Sequence, residues 1–454
     1  MLGAATSLLL AAFSASVIEG AIGADSEVAV GRAPVDYSGP SEDSITFTLV
    51  PGLAIRNRTP DSTLTLSYTP RIFYRLPNAL HVNHPLVLHQ VALDHTLDIG
   101  KWLAWTTTAT LAIGEIDYTA AGVVFDPTLA SAVTTSVTDI LRTTANTGLK
   151  YLVRPTLSLN LEGGVEYTTT LDKTNVVPIP PSADGTLPAG TGLTQWGSVI
   201  PDSFQARGKP GFAISIGKAS HAGASAEVTY QWFRRTARYL VLSPELDWDT
   251  KFGERTTLGV AGGVAYVWTL DAVPPQPKKN SLGGTGNIDV KSIVYKGPGL
   301  MTTLDFNAAL DWYFDPILGT STPRSGATAT GVFQAGKRWT ISPLASFYTN
   351  LKNTRYRLIA ADGTALPSDD PAVIQQQQQA REITPDSTLL RFELPFDYRI
   401  DDGVSFGFGA RTLLRSRPIP DPDFKIGEQV EFWIFAGLTV RAATSVDHGS
   451  WLPL

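Results

Sequence analysis

The chain reads as all-β, a transmembrane antiparallel up-and-down barrel of about sixteen strands, with roughly fourteen to eighteen as the limits. Three observations predict it. Polar and apolar residues alternate with a period of two, the alternating runs are long enough to cross a bilayer, and the connections between them are short and long by turns.

The stretch "TLTLSYTPRIFYRL" shows the alternation most plainly. Leu64, Leu66, Tyr68, Ile72 and Tyr74 fall on one face of a strand, and Thr63, Thr65, Ser67, Thr69, Arg71 and Arg75 on the other. A soluble sandwich would bury the first face, whereas a barrel in a membrane turns it to lipid and keeps the second around a wet lumen. About fifteen such runs occur. "SITFTLVPGLAIRN" precedes the stretch, and residues 87–99 and 103–118 follow it. Next come 139–153 with 156–171, 204–217 with 222–234, and 238–249 with 255–270. The last are 299–314, 339–351, 388–400 with 403–415, and 428–442. "SEVAVGRAPVDY" at 26–37 supplies a further strand that makes the number even.

Within pairs the links are brief, such as Gly100-Lys101, "KFGER" and "DDG". Between pairs, residues 77–86, 119–138, 172–202, 271–298 and 352–387 are polar and rich in Gly, Pro, Ser and Asp. An outer-membrane barrel has that asymmetry, with short periplasmic turns and long extracellular loops. Two links break the pattern: "RRTAR" is too short, and 315–338 is too long unless "ATATGVFQA" is a strand. Aromatics also fall where a girdle belongs. Trp105, Tyr151, Trp248, Trp312, Trp339 and Tyr398 take the apolar face near the short-turn ends, and Tyr74, Trp232 and Trp268 near the long-loop ends. Prolines at 51, 70, 210, 244, 343 and 395 lie inside runs and mark bulges or strand ends.

Residues 1–24 read as a signal peptide, with an apolar run near Leu8 to Phe13 and a cleavage site at Ala21-Ile22-Gly23, leaving 25–454 as a single barrel domain. The absence of Cys excludes disulfide scaffolds, thiol catalysis and Cys-based metal sites. A net charge of -6 argues against a nucleic-acid partner. No cofactor pattern is present, and the expected partner is the lipid bilayer.

On these features the chain resembles Gram-negative outer-membrane β-barrel proteins of porin-like type. Lys425, Gly427, Val430 and Phe432 fit the terminal-strand signal of that class. The hairpin style is similar to barrels associated with polysaccharide export. The resemblance implies an outer-membrane location, insertion by the barrel-assembly machinery, and a channel that passes small solutes or an exported polymer. A closed structural or adhesive barrel is the alternative, and an outer-membrane hydrolase a third reading.

Charge on the wet parity supplies the site expectation. Arg56, Arg58, Arg71, Arg75, Arg391, Arg399, Arg411, Arg415 and Arg441, with Glu393, Asp397 and Glu431, come from strands near the two chain ends, which become neighbours on closure. Middle strands bring Glu162, Glu166, Glu227, Glu245, Asp247, Asp305 and Asp311. One wall leans basic and the other acidic, which predicts weak anion selectivity unless the arginines pair within the wall. His81, His84, His89 and His95 fall close together, but only two share a face, so no metal is expected; nor do His89 and His95 with a nearby Ser make an enzyme the expected reading.

Overall fold

The computed structural model describes residues 16–34, 41–77, 84–117, 137–171, 176–178, 194–196, 202–234, 237–272, 280–315, 320–350, 388–416, 430–444 and 451–453. They form a closed antiparallel barrel of eighteen strands in sequence order. The first six are β1 (Val17–Pro34), β2 (Ser41–Arg58), β3 (Ser62–Tyr68, continuing as Arg71–Leu76), β4 (Leu86–Ile99), β5 (Leu103–Asp117) and β6 (Val137–Arg154). Next come β7 (Leu157–Thr170), β8 (Ser203–Ile216), β9 (Ser220–Phe233), β10 (Ala237–Phe252), β11 (Thr256–Ala272) and β12 (Ser281–Gly297). The barrel ends with β13 (Leu300–Asp315), β14 (Thr320–Ala335), β15 (Trp339–Ile341, continuing as Leu344–Asn350), β16 (Thr388–Arg399), β17 (Val404–Ser416) and β18 (Val430–Ala443). Antiparallel pairing of β18 with β1, from Ala21↔Ala443 to Arg32↔Phe432, closes the ring and gives every strand a neighbour on both sides. A two-stranded ribbon, Val176–Pro178 with Thr194–Trp196, stands apart in the connection after β7.

The expected number of about sixteen is therefore corrected to eighteen. Strand β12 lies where a long loop was expected, and β14 is the strand hidden in 315–338. Both have physical reasons for escaping the alternation. On β12 the outward positions 284 and 286 are glycines, and a bulge between Ile293 and Tyr295 shifts the parity. On β14 the outward positions carry Pro323, Ser325, Ala327, Ala329 and Gly331, too small to read as apolar. With these strands in place, brief turns such as 253–255 and 298–299 gather at one end, while 234–236 remains a short link at the other. Gly253 and Gly299, at φ 65 and 70, supply the left-handed residue that so tight a link needs.

Strand β1 also starts earlier than the expected 26–37. Residues 17–24, expected to belong to a leader, pair with residues 51–58 of β2 and in part with β18, so the expected boundary at 24 falls inside a wall strand.

The prolines mark lapses in the ladder. Pro51 and Pro70 share one between β2 and β3, where pairing skips from Leu53↔Tyr68 to Leu49↔Ile72. Pro343 and Pro395 share another between β15 and β16. Each lost donor is thus placed where a partner strand has also let go.

The faces sort as the period of two requires. The outward set is apolar and exposed, for example Ile55, Leu66, Leu161 and Ile434, with Leu246 at 70%. Such a continuous apolar belt on a closed barrel is the surface of a membrane-spanning protein. Trp105, Tyr151, Trp248 and Trp339 are exposed near the short-turn ends as expected. Trp312 is a correction: it sits at the long-loop end, because the missed strand β12 reverses the direction of β13.

Candidate functional site

The inward face is the candidate site, and it changes character along the barrel axis. Toward the long-loop end it is apolar and buried: Phe73, Leu86, Leu88, Ile116 and Ile140 on one side, Phe233, Tyr239, Val241 and Val267 on another. At mid-barrel it is polar, charged and partly exposed.

The expected basic seam is present where the chain ends meet. Arg71 and Arg75 project inward from β3, Arg56 and Arg58 from β2, Arg391, Glu393 and Arg399 from β16, and Arg411 from β17. Arg415 is on β17 opposite Leu389, and its side chain lies outside the described set. Four of these side chains, Arg56, Arg391, Arg399 and Arg411, are paired with carboxylates. Glu393 Oε1 accepts from Arg391 Nη2 at 2.6 Å and from Arg411 Nε at 2.6 Å. Arg411 reaches on to Glu27 with Nη1 at 3.3 Å, and its guanidinium lies 4.8 Å above the Phe435 ring. Arg56 donates to Glu19 at 2.6 Å and stacks on Trp451 at 4.6 Å. Arg399 pairs with Asp402 beside the turn, at 2.5 Å. Pairing of this kind keeps Glu19, Glu27 and Glu393 hydrogen-bonded to guanidinium groups, while Arg71 Nε is buried with no acceptor among the described residues.

Sequence reading places Glu393 in the seam but not its other two carboxylates, Glu19 and Glu27. Glu19 was assigned to the leader, and Glu27, though inside the first-strand segment, gave no sign of its partner.

The opposite wall is richer in carboxylates. A recess of about 270 Å³ is lined by Glu162, Glu245, Asp247, Asp249 and Asp289, with Lys209 among them. Lys209 Nζ lies 2.8 Å from Glu245, Arg142 pairs with Glu166 at 3.0 Å, and Asn307 donates to Asp289 at 2.6 Å. Asp247 and Asp249 face the lumen two residues apart on β10. Outside the belt, Arg234 donates to Asp202 at 2.7 Å, which raises its guanidinium above the ordinary value; Asp202 also accepts from Thr169.

The short-turn end carries a feature that alternation could not show. Leu452, past the last strand, is 1% exposed and packs against Ala21 and Ala54, both on the inward parity. The tail at 451–453 therefore tucks against the inner wall beside Arg56.

The histidines do not converge. His89 bonds the Tyr68 hydroxyl at 2.8 Å and His95 the Ser62 hydroxyl at 3.1 Å, both on the outward face, while His84 pairs with Glu115 at 2.9 Å. His81 lies outside the described residues. Among the described residues no group of His, Asp or Glu has metal-binding geometry, and no carboxylate hydrogen-bonds His95.

No protein-family profile and no curated protein matches the chain. Among solved structures it is similar to a copper transporter at 10% identity, covering 94% of this chain and 80% of that one, with a TM-score of 0.43. It is also similar to the ferric enterobactin receptor of Pseudomonas aeruginosa in complex with enterobactin, at 11% identity over 93% of this chain and 81% of that one, TM-score 0.46. A siderophore receptor from Acinetobacter baumannii matches at 10% identity over 92% of this chain and 81% of that one, TM-score 0.41. Likenesses at this level assign neither a cargo nor a mechanism to this chain, whose barrel character rests on its own ladder and its own apolar belt.

Proposed function

We propose that the chain is a channel of the Gram-negative outer membrane that passes small hydrophilic solutes through a charged mid-lumen. One observation carries the reading: the inward side chains of an eighteen-stranded barrel are polar and solvent-accessible at mid-height, with a paired arginine seam facing a carboxylate-rich wall. About eight strands fill their own interior, whereas sixteen to eighteen enclose an aqueous passage. A transverse field of this kind orders dipolar solutes and sets ion preference. Because Arg56, Arg391, Arg399 and Arg411 each have a carboxylate partner, the anion preference read from the arginines alone is muted. No catalytic role is proposed. Insertion is assigned to the barrel-assembly machinery on the resemblance alone.

Single-channel recording of purified protein in planar bilayers tests the reading. Discrete conductance steps support it. Silence at all voltages would favour the second reading, a closed structural barrel, which the buried apolar residues at the long-loop end recommend.

A further inference from the structure

Around the barrel, neighbouring strands stay paired along nearly their whole common length, but one seam parts early. Strands β12 and β13 pair from Gly297↔Leu300 only as far as Gly286↔Leu310. Beyond that point both continue as strands, β12 back to Ser281 paired with β11, and β13 on to Asp315 paired with β14. Residues 281–285 and 311–315 therefore face each other with no ladder between them among the described residues. In a bilayer an unpaired strand edge is costly, because lipid offers nothing to its N–H and C=O groups. The level of the gap is that of the interface: Leu282 pairs with Tyr266, which packs against Trp268 in the outward aromatic set.

Two aromatic side chains occupy the gap. By alternation Trp312 and Phe314 belong to the outward set with Leu300 and Leu304, yet both pack against the inward cluster of Phe233, Ala237, Tyr239, Val241, Ala265 and Val267. Phe314 stands 5.0 Å from Tyr239, ring centre to ring centre. The Trp312 ring lies where a Cβ on Gly283 would be 2.7 Å away, so glycine there lets the ring pack against the β12 backbone. Two buried polar atoms at this place have no hydrogen-bond partner among the described residues: Trp312 Nε1, and Oγ1 of Thr285, two residues from Gly283 on the same inward face.

We infer that the β12–β13 seam is a lateral lipid site, in which one acyl chain from the outer leaflet passes between the strands onto the inward apolar cluster. The cluster, over which Trp312 and Phe314 lie, gives the hydrocarbon an apolar bed above the charged mid-lumen. The Trp312 N–H and the Thr285 hydroxyl are placed to receive the ester oxygens at its head, which turns two unsatisfied groups into partners.

The test uses the full chain refolded into vesicles of phosphatidylethanolamine and phosphatidylglycerol, doped with phosphatidylethanolamine carrying a diazirine at the acyl terminus. After illumination, labelled residues are mapped by mass spectrometry. Outward residues such as Leu242 and Leu246 are labelled in any barrel. The inference expects label on inward Tyr239 and Val241 as well, and none on inward Leu88 and Ile140 at the same level of another wall. Phe314→Ala, which thins the plug, is expected to raise the Tyr239 and Val241 label severalfold with the outward label unchanged. Label confined to outward residues in the parent overturns the inference, as does equal label on Leu88 and Ile140, which would mean lipid filling the lumen at large. Should Phe314→Ala fail to assemble, the pattern in the parent decides.

Discussion

Arg411 and Glu27 lie 384 residues apart in the chain and 3.3 Å apart in the barrel. The pair spans β18, which separates their strands, and passes over Phe435 and Gly437 on the way. Both side chains are largely shielded from water, at 13% and 24% exposure, so screening removes little of their attraction. Because β17 and β1 meet only through the closing seam, this contact reports on closure. A double-mutant cycle of Arg411→Ala and Glu27→Ala should give a coupling on the order of 1 to 2 kcal/mol in urea unfolding from detergent micelles. Additive effects would show that the two side chains do not interact in solution.

The assignment of faces predicts opposite fates for neighbouring substitutions. Leu66→Arg places a cation on the exposed apolar belt and should cost roughly 2 to 4 kcal/mol, lowering the fraction that shows heat-modifiable migration on gels. Thr65→Arg, facing the lumen, should assemble as the parent does. Equal behaviour of the two would reverse the faces.

Ion preference should respond to the carboxylate wall more than to the seam. Converting Asp247 and Asp249 to Asn removes two lumen-facing carboxylates that line the recess with Lys209 between strands. In a KCl gradient the reversal potential should move toward anion preference, and the shift should shrink near 1 M salt, where the Debye length is about 3 Å. Arg391→Ser with Arg411→Ser should move it the other way, by releasing Glu393 and Glu27 from their partners. An unmoved potential in both variants would place the ion path away from these walls.

The tucked tail predicts an effect on passage. Leu452→Asp puts a charge where Ala21 and Ala54 enclose the side chain and should expel the tail from the inner wall. Conductance per channel should rise, with unfolding little changed because the strand ladder is untouched. Unchanged conductance would show that the tail lies clear of the path.

A chain shortened to begin at Asp25 should fail to reach the compact gel form. It deprives residues 51–58 of their β1 partner and Arg56 of Glu19. Normal assembly of that variant would show that the barrel closes without residues 17–24, as the reading of 1–24 as a leader requires.

How far the sequence could be read follows from what alternation encodes. It reports which face a side chain takes, so Leu66 and Arg71 were legible at once, as was the inward orientation of Arg391 and Arg411. It falls silent where outward positions are small, as on β14, or where a bulge shifts parity, as at Ile293 and Tyr295. Strand β1 was cut short because its apolar residues merge with the run that reads as a leader. Partners are a different matter. That Glu27 meets Arg411 depends on the register of three strands across the closure, and no local pattern carries register between segments so far apart. The parting of β12 from β13 is likewise a property of two ladders, invisible in either strand alone.

Pairing of Ala21 with Ala443 makes the first strand wait for the last. Until residues 430–443 have arrived, β1 presents a bare edge, ready to join any other strand it meets. The barrel is thus a clasp whose two halves are made at opposite ends of synthesis. Its completion is slow in the sense that distant contacts are slow, and the growing chain needs shelter for as long as the clasp is open.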